Sequence, residues 1–210
     1  AATGSVVLSC GDNYRVVGYN DMYQLDIENY YTSGSQQYTF EAENALTSAL
    51  AQVSRTTAYK LYQLTGHGEL ALDTDFTDTL TNAGVTTEEL NLTTAGSIPA
   101  DADSLLLNAP LADLTEAEAA LLSDYVTNGG KLLAVTDFTT DTPRLDAILE
   151  SCGMTRQAGL LIENDANHYP YGYPQTYLLP SLSSNDITAG ITDGMHVFTP
   201  VAQGIVKGDS

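Results

Sequence analysis

From residue 59 onward, short apolar runs alternate with stretches in which apolar residues recur every three or four positions. Runs of the first kind suit buried strands and stretches of the second suit amphipathic helices, so their alternation predicts an α/β domain with a mainly parallel sheet. Residues 59–65 (YKLYQLT) read as a strand, and 70–83 as a helix with Leu72, Phe76, Leu80 and Ala83 on one face and Gly84 just past its end. A weaker strand is expected at 87–92. After the turn-rich stretch TTAGSIPADAD, residues 104–109 (SLLLNA) have the composition of a buried strand, which Pro110 stops. The clearest local pattern follows. Thr115-Glu116-Ala117-Glu118 is a capping box with Leu114 at the staple position, Leu121, Leu122, Tyr125 and Val126 at helical spacing, and Asn128-Gly129-Gly130 at the close.

Residues 131–136 (KLLAVT) form the next expected strand. Thr142-Pro143 opens a helix through Leu145, Ile148 and Leu149 that ends at Gly153, with proline at the favoured first position. A last core strand is expected at 160–163. Residues 164–180, crowded with Tyr and Pro, cannot make a regular central strand and are expected as an ordered surface segment. Near the N-terminus, 5–10 and 14–17 read as strands of a hairpin around Gly11-Asp12-Asn13. A helix at 40–53 follows, with Phe40, Leu46, Ala49, Leu50 and Val53 as its buried stripe. The expected architecture is one domain, 1–210, in which a β-rich extension (1–38) with an N-terminal β-hairpin precedes a three-layer, mostly parallel α/β core (39–210).

Composition narrows the function. Seven Lys and Arg against 27 Asp and Glu leave a net charge of −20 over 210 residues. Such a field repels phosphate backbones and anionic headgroups, which excludes nucleic acid as a partner. With 43% hydrophobic and only 16% charged residues, the chain should fold rather than form an acidic disordered tail. Residue 1 is Ala, no basic stretch leads into an apolar segment, and no apolar run approaches the roughly 18 residues of a spanning helix. A soluble piece excised from a longer chain is expected. Cys10 and Cys152 either close a very long loop as a disulfide or pack as small buried apolar side chains.

Gly66-His67-Gly68-Glu69-Leu70-Ala71 follows a strand and is expected to open a helix, matching the loose dinucleotide fingerprint. A pyrophosphate there would face Glu69, Asp73 and Asp75, and no acidic residue ends the second strand to hold a ribose, so a tight structural turn is favoured. The carboxyl ends of the strands still gather polar residues: His67, Glu69, Asn108, Asp137, and Asn164 within the 163–165 group. A histidine, amides and carboxylates around one crevice suit a polar ligand or a cation, although loops of an acidic protein collect carboxylates by composition alone. Gly-x-Ser-x-Gly, His-Glu-x-x-His, the phosphate-binding Gly-x-x-x-x-Gly-Lys-Ser/Thr and Cys-x-x-Cys are all absent from the sequence. Asp73, Asp75 and Asp78 lack the glycine of a calcium loop and read as a solvated helix face, so no metal site or cofactor is expected. Tyr169, Tyr171, Tyr173 and Tyr177 suit contact with proteins or sugar rings, or packing as a lid along the sheet edge.

In order, FEAENALTSAL, YQLTGHGE, SIPADADSLLLNAP, DLTEAEAALLSDYVTNGGKLLAV and YLLP followed by DIT resemble the auxiliary domain of uncharacterised ABC-type transport systems, the group that includes the gliding-motility transporter component. The resemblance runs from about Val6 to Ile205 and is most specific at 40–50, 66–69, 98–103 with Pro110, and 129–131. It implies an extracytoplasmic bacterial domain, tethered to the cell membrane by helices outside these 210 residues, beside an ABC permease and ATPase. It also implies a flavodoxin-like sheet laid out as in class I glutamine amidotransferases. The catalytic cysteine of that superfamily has no counterpart at a strand-to-helix elbow here, so its activity is not implied. A non-enzymatic domain binding a protein partner or a small polar ligand is therefore expected. The alternatives are a hydrolase of glycans or amides using His67 and nearby carboxylates, and a cation-dependent adhesion or scaffold module.

Overall fold

A computed structural model describes residues 3–11, 13–25, 36–40, 42–54, 59–185, 187–188, 191 and 196–208. Four of the expected apolar runs become β5 (Tyr59–Leu64), β6 (Val85–Leu90), β7 (Ser104–Asn108) and β8 (Leu132–Val135). They form a central parallel sheet in the order β6-β5-β7-β8, with Leu61, Tyr62 and Gln63 of β5 opposite Ser104, Leu105 and Leu106 of β7. Leu105, Leu106 and Leu107 are completely shielded from solvent, as a strand covered on both faces requires. Sheet and helices together make a mixed α/β arrangement consistent with the expected three-layer fold.

Six helices accompany the strands among the described residues: α1 (Tyr19–Met22), α2 (Ala42–Ser54), α3 (Thr74–Asn82), α4 (Leu92–Ala95), α5 (Glu116–Thr127) and α6 (Pro143–Ser151). The chain divides into two compact units. One comprises Ala1–Gln63, Ala71–Leu90 and Pro99–Leu106, the other Leu64–Leu70, Asn91–Ile98 and Leu107–Ser210. In the first, β1 (Val6–Cys10) and β2 (Asn13–Val17) form the expected antiparallel hairpin, with Val6 opposite Val17 and Cys10 opposite Asn13. Its core joins Val17, Met22, Ala42 and Ala49, with Leu8, Tyr23, Ala45 and Leu46 packed around them. In the second, α5 and α6 bury Leu122, Leu145, Ile148 and Leu149.

Helix α5 follows its capping pattern to the residue, and α6 starts with Pro143 at its first turn. Other elements correct the expectation. Helix α2 starts at Ala42 because Tyr38–Phe40 is a strand, β4, paired antiparallel with β3 (Tyr23–Leu25). Phe40 stacks obliquely 5.1 Å from Tyr23 and stays 64% exposed. The stripe that α2 buries therefore runs through Ala42, Leu46, Ala49 and Val53, and leaves Leu50 outside it, 59% exposed. Helix α3 starts at Thr74 and not at 70. Leu70 N–H donates to the Asn108 carbonyl at 2.9 Å, and the Asp73 carboxylate caps the helix by accepting from Asp75 N–H at 2.8 Å. No residue of α3 is fully buried, and the expected core position Phe76 is exposed.

The strand expected at 160–163 does not form. Leu161 N–H donates to Ala202 O and Glu163 N–H to Gln175 O, single bonds to two different loops instead of a ladder. Pairing falls instead to β9 (Met154–Arg156), antiparallel to β12 (Ile205–Lys207). Residues 164–180 are the expected surface segment, built of turns and ending in β10 (Tyr177–Leu178), which pairs with β11 (Thr199–Pro200). Tyr173, Tyr177 and Phe198 form a chain of ring contacts at 5.8 and 5.6 Å, while Tyr171 is wholly exposed. Cys10 and Cys152 are free and exposed, neither bridged nor packed in a core.

Replacing the shielded Leu106 with Ala should cost about 2–5 kcal/mol of unfolding free energy in urea titrations. Leu50→Ala, on the exposed side of α2, should stay within about 0.5 kcal/mol of the parent. Equal losses would restore Leu50 to the buried stripe.

Candidate functional site

Where β5 ends, the chain makes the turn Gly66-His67-Gly68-Glu69, and both glycines are needed. Gly66 has φ +122°, and a Cβ there would lie 2.8 Å from the Asn91 side-chain nitrogen. Gly68 has φ +77°, and a Cβ there would press to 3.2 Å on Leu111. So shaped, the turn folds Glu69 back on its neighbour: Oε2 accepts from His67 N–H at 2.8 Å, and Oε1 lies 3.0 Å from His67 Nδ1. The other ring nitrogen, Nε2, meets Glu118 Oε2 at 3.0 Å.

Glu118 is the third residue of α5 and belongs to its capping box. Its Oε2 accepts from Thr115 N–H at 2.9 Å and from the Thr115 hydroxyl at 2.7 Å, while Oε1 accepts from the Thr93 hydroxyl at 2.7 Å. The side chains of His67, Glu69 and Glu118 are only 9%, 3% and 2% exposed. A histidine whose two nitrogens both face carboxylates is a double donor, the imidazolium form. Burial pushes the His67 pKa down, but the hydrogen bonds to Glu69 and Glu118 outweigh it and leave the value raised above the ordinary 6.5. For Glu118, burial pushes upward, yet the donors from Thr115, Thr93 and His67 prevail and hold it at about 2. The result is a buried clasp, one cation between two anions, joining the glycine turn to the start of α5 and to Thr93 of α4.

Beyond this clasp the loops after β5 and β7 are bonded to each other. In open α/β sheets, ligands bind outside the carboxyl ends of the strands where strand order reverses, which here lies between β5 and β7. Leu70 N–H bonds to Asn108 O, Asn108 Nδ2 returns a bond to Leu70 O at 2.8 Å, and Leu111 N–H donates to His67 O at 2.8 Å. The two loops are stitched together across the switch point. The nucleotide fingerprint fails as well, because Leu70 to Asp73 is not helical and the helix beyond already has its own carboxylate cap. A cleft of about 360 Å³ opens beside α4 and α5, with two carboxylates in its lining: Glu118, which has both oxygens engaged, and Asp124.

Of the residues expected around the crevice, His67 and Glu69 meet directly, and Asn108 serves the loop stitch. Asp137 and Asn164 have local partners instead: Asp137 Oδ1 accepts from Thr139 N–H and Oγ1, both at 2.6 Å, and Asn164 N–H donates to Glu163 Oε1 at 2.8 Å. Glu118 and Thr93 are the members that sequence reasoning did not assign to the site. Glu118 was visible only as a capping residue, and no local pattern marks it as the partner of a histidine 51 positions away.

The clasp makes stability depend on pH. His67, with its value raised on folding, contributes fully below about pH 6.5, and that contribution is lost as pH rises through the folded value. Glu118, with its value lowered, contributes fully above about pH 4.5 and is lost as pH falls through about 2. Unfolding free energy measured in urea should therefore decline from pH 6 to pH 9 more steeply in the parent than in His67→Gln. At pH 6 that variant should lose about 3–5 kcal/mol, because two buried carboxylates are left without their cation. Parallel pH profiles would show that the imidazole carries no charge in the fold.

No family model matches the chain, and no curated protein does. A solved structure described as the mmIFT52 N-terminal domain is similar to it, with a TM-score of 0.55, 15% identity, and coverage of 70% of this chain and 68% of that one. At that identity the likeness concerns the fold alone.

Proposed function

We propose that this chain is a non-catalytic, extracytoplasmic domain of an ABC-type transport system, placed beside the permease and ATPase and engaging a protein partner or a small polar ligand. The reading starts from the sequence resemblance, and the observation that carries its non-catalytic half is the engagement of both His67 nitrogens by buried carboxylates. A general base needs a free lone pair within about 2.6–3.2 Å of the proton it removes. His67 has none to offer, so the hydrolase alternative loses its central residue and the Gly-His-Gly-Glu turn acts as architecture. Numbered from β5 along the chain, the sheet runs 2-1-3-4, which supports a flavodoxin-like core related to that of the class I glutamine amidotransferases. A net charge of −20 suits a partner that presents basic surface.

No helix among the described residues is long and apolar enough to cross a membrane, so the tether of this reading belongs elsewhere in the chain. Co-expression of this chain with the permease and ATPase that this reading places beside it tests the proposal. Pull-down through a tagged ATPase should recover the three chains in fixed ratio, and protease added outside intact cells should reach this domain. Recovery of the ATPase and permease without this chain, or protection from external protease, would overturn the reading.

A further inference from the structure

The central sheet ends in β6 on one side and in β8 on the other. Strand β6 exposes Glu88 and Glu89, charges of the kind that keep a sheet edge from pairing, whereas the four residues of β8 (LLAV) carry none. We propose that two copies of this chain pair antiparallel through β8, about a two-fold axis at Ala134, and so join their four-stranded sheets into one continuous sheet.

The backbone fixes which groups are open to a partner. The Val135 carbonyl accepts from Ala109 N–H at 2.9 Å and therefore points toward β7. Backbone groups alternate in direction along a strand, so the N–H and C=O of Leu132, Ala134 and Thr136 point outward. Among the described residues no strand or loop backbone bonds to them on that side. At the carboxyl end of β8, Thr136, Asp137 and Phe138 share a second cleft of about 360 Å³ with Val201, Ala202 and Gln203, and no backbone hydrogen bond crosses it among the described residues. That loop does not complete the sheet. Antiparallel pairing about Ala134 sets Ala134 opposite its counterpart and Leu132 opposite Thr136, and each such pair exchanges both of its N–H···O bonds through outward groups. Leu133 then faces Val135 of the other copy in the closer, non-hydrogen-bonded positions. Both side chains stand on one face of β8 and are exposed in the single chain, so the pairing covers an apolar stripe that one copy leaves in water.

Charge selects this register and makes the edge complementary to itself. Lys131, exposed just before β8, and Asp137, just after it, continue the spacing of Leu133 and Val135, and pairing about Ala134 sets each Lys131 opposite Asp137 of the other copy. Thr139 donates to Asp137 Oδ1 from its N–H and its hydroxyl, which keeps that carboxylate ionised. Moving the axis to Leu133 or Val135 preserves the hydrogen-bond pattern but sets Lys131 opposite Val135, or Asp137 opposite Leu133, so a charge meets an apolar side chain. A two-fold contact repeats each favourable pair, as isologous interfaces do. The net charge of −20 on each copy opposes association at long range, and at physiological salt that repulsion is screened beyond about 8 Å. The inference goes beyond the transport reading and does not depend on the permease or ATPase. Co-purification can fail while self-association stands, and the reverse.

The test is sedimentation equilibrium of the 210-residue chain from about 10 μM to about 1 mM in ~0.15 M sodium chloride, with amide hydrogen exchange followed at both ends of that range. A monomer–dimer equilibrium is expected, and protection of the Leu132, Ala134 and Thr136 amides should rise as the dimer forms. Ala134→Pro removes an outward N–H without touching the β7 side and should weaken dimerisation about tenfold or more. Lys131→Asp sets like charges opposite each other and should weaken it about fivefold or more, while adding Asp137→Lys to that variant should restore most of the loss. Should Ala134→Pro fail to fold, Leu133→Lys, at an exposed position, places a charge on the same edge and should weaken dimerisation about tenfold or more. The proposal is overturned by a monomer throughout the range, by a dimer that a folded Ala134→Pro or Leu133→Lys leaves undiminished, by dimer-linked protection that spares β8, or by a charge swap that associates no better than Lys131→Asp alone.

Discussion

One imidazolium between two shielded carboxylates ties the glycine turn after β5 to the start of α5. In a chain with 27 acidic residues and seven basic ones, a carboxylate taken out of water has few cations to meet, and an unpaired one is costly to bury. His67 answers two at once, and hydroxyls of Thr93 and Thr115 complete the shell of Glu118. The same economy appears in the other ion pairs. Lys60 serves both Glu88 and Asp101, while Arg156 reaches Asp146 and the buried hydroxyl of Thr142. Positive charge is the scarce component, and each cation in these pairs has two partners.

Because the clasp and the Leu70–Asn108 stitch occupy the point where strand order reverses, the usual ligand position of an open α/β sheet is spent on holding loops together. Two consequences follow from this. The histidine that looks most like a catalytic residue in the sequence has both ring nitrogens held by carboxylates, and a second cleft lies at the carboxyl end of β8. A fold does not prescribe chemistry, and here the same sheet end is closed at one strand pair and open beside another.

The architecture was readable where local rules agree. The capping box at Thr115 to Glu118, the run SLLLNA and the Thr142-Pro143 start each combine propensity, pattern and capping, and each lies where expected. Readings failed where a distant partner outvoted the local pattern. Phe40 fits a helix stripe by spacing, yet pairing with Tyr23–Leu25 draws it into a strand. Leu70 would begin a helix by pattern, yet Asn108 takes its N–H and its carbonyl. The run 160–163 looks like a strand, but its N–H groups bond to two different loops and build no ladder.

The site divides along the same line. His67 and Glu69 were identifiable because two glycines around a histidine at the end of a strand form a local pattern, and their mutual hydrogen bonds span two residues. Glu118 is 51 positions from His67 and Gln203 is 66 from Asp137, and no periodicity or spacing rule reaches that far. The amino-acid order alone determined helices and turns where backbone hydrogen bonding is satisfied within a few residues, and buried strands where an apolar run such as SLLLNA marks them. Which carboxylates share the imidazolium was decided by tertiary packing, because burial and charge pairing depend on neighbours in space and not in sequence.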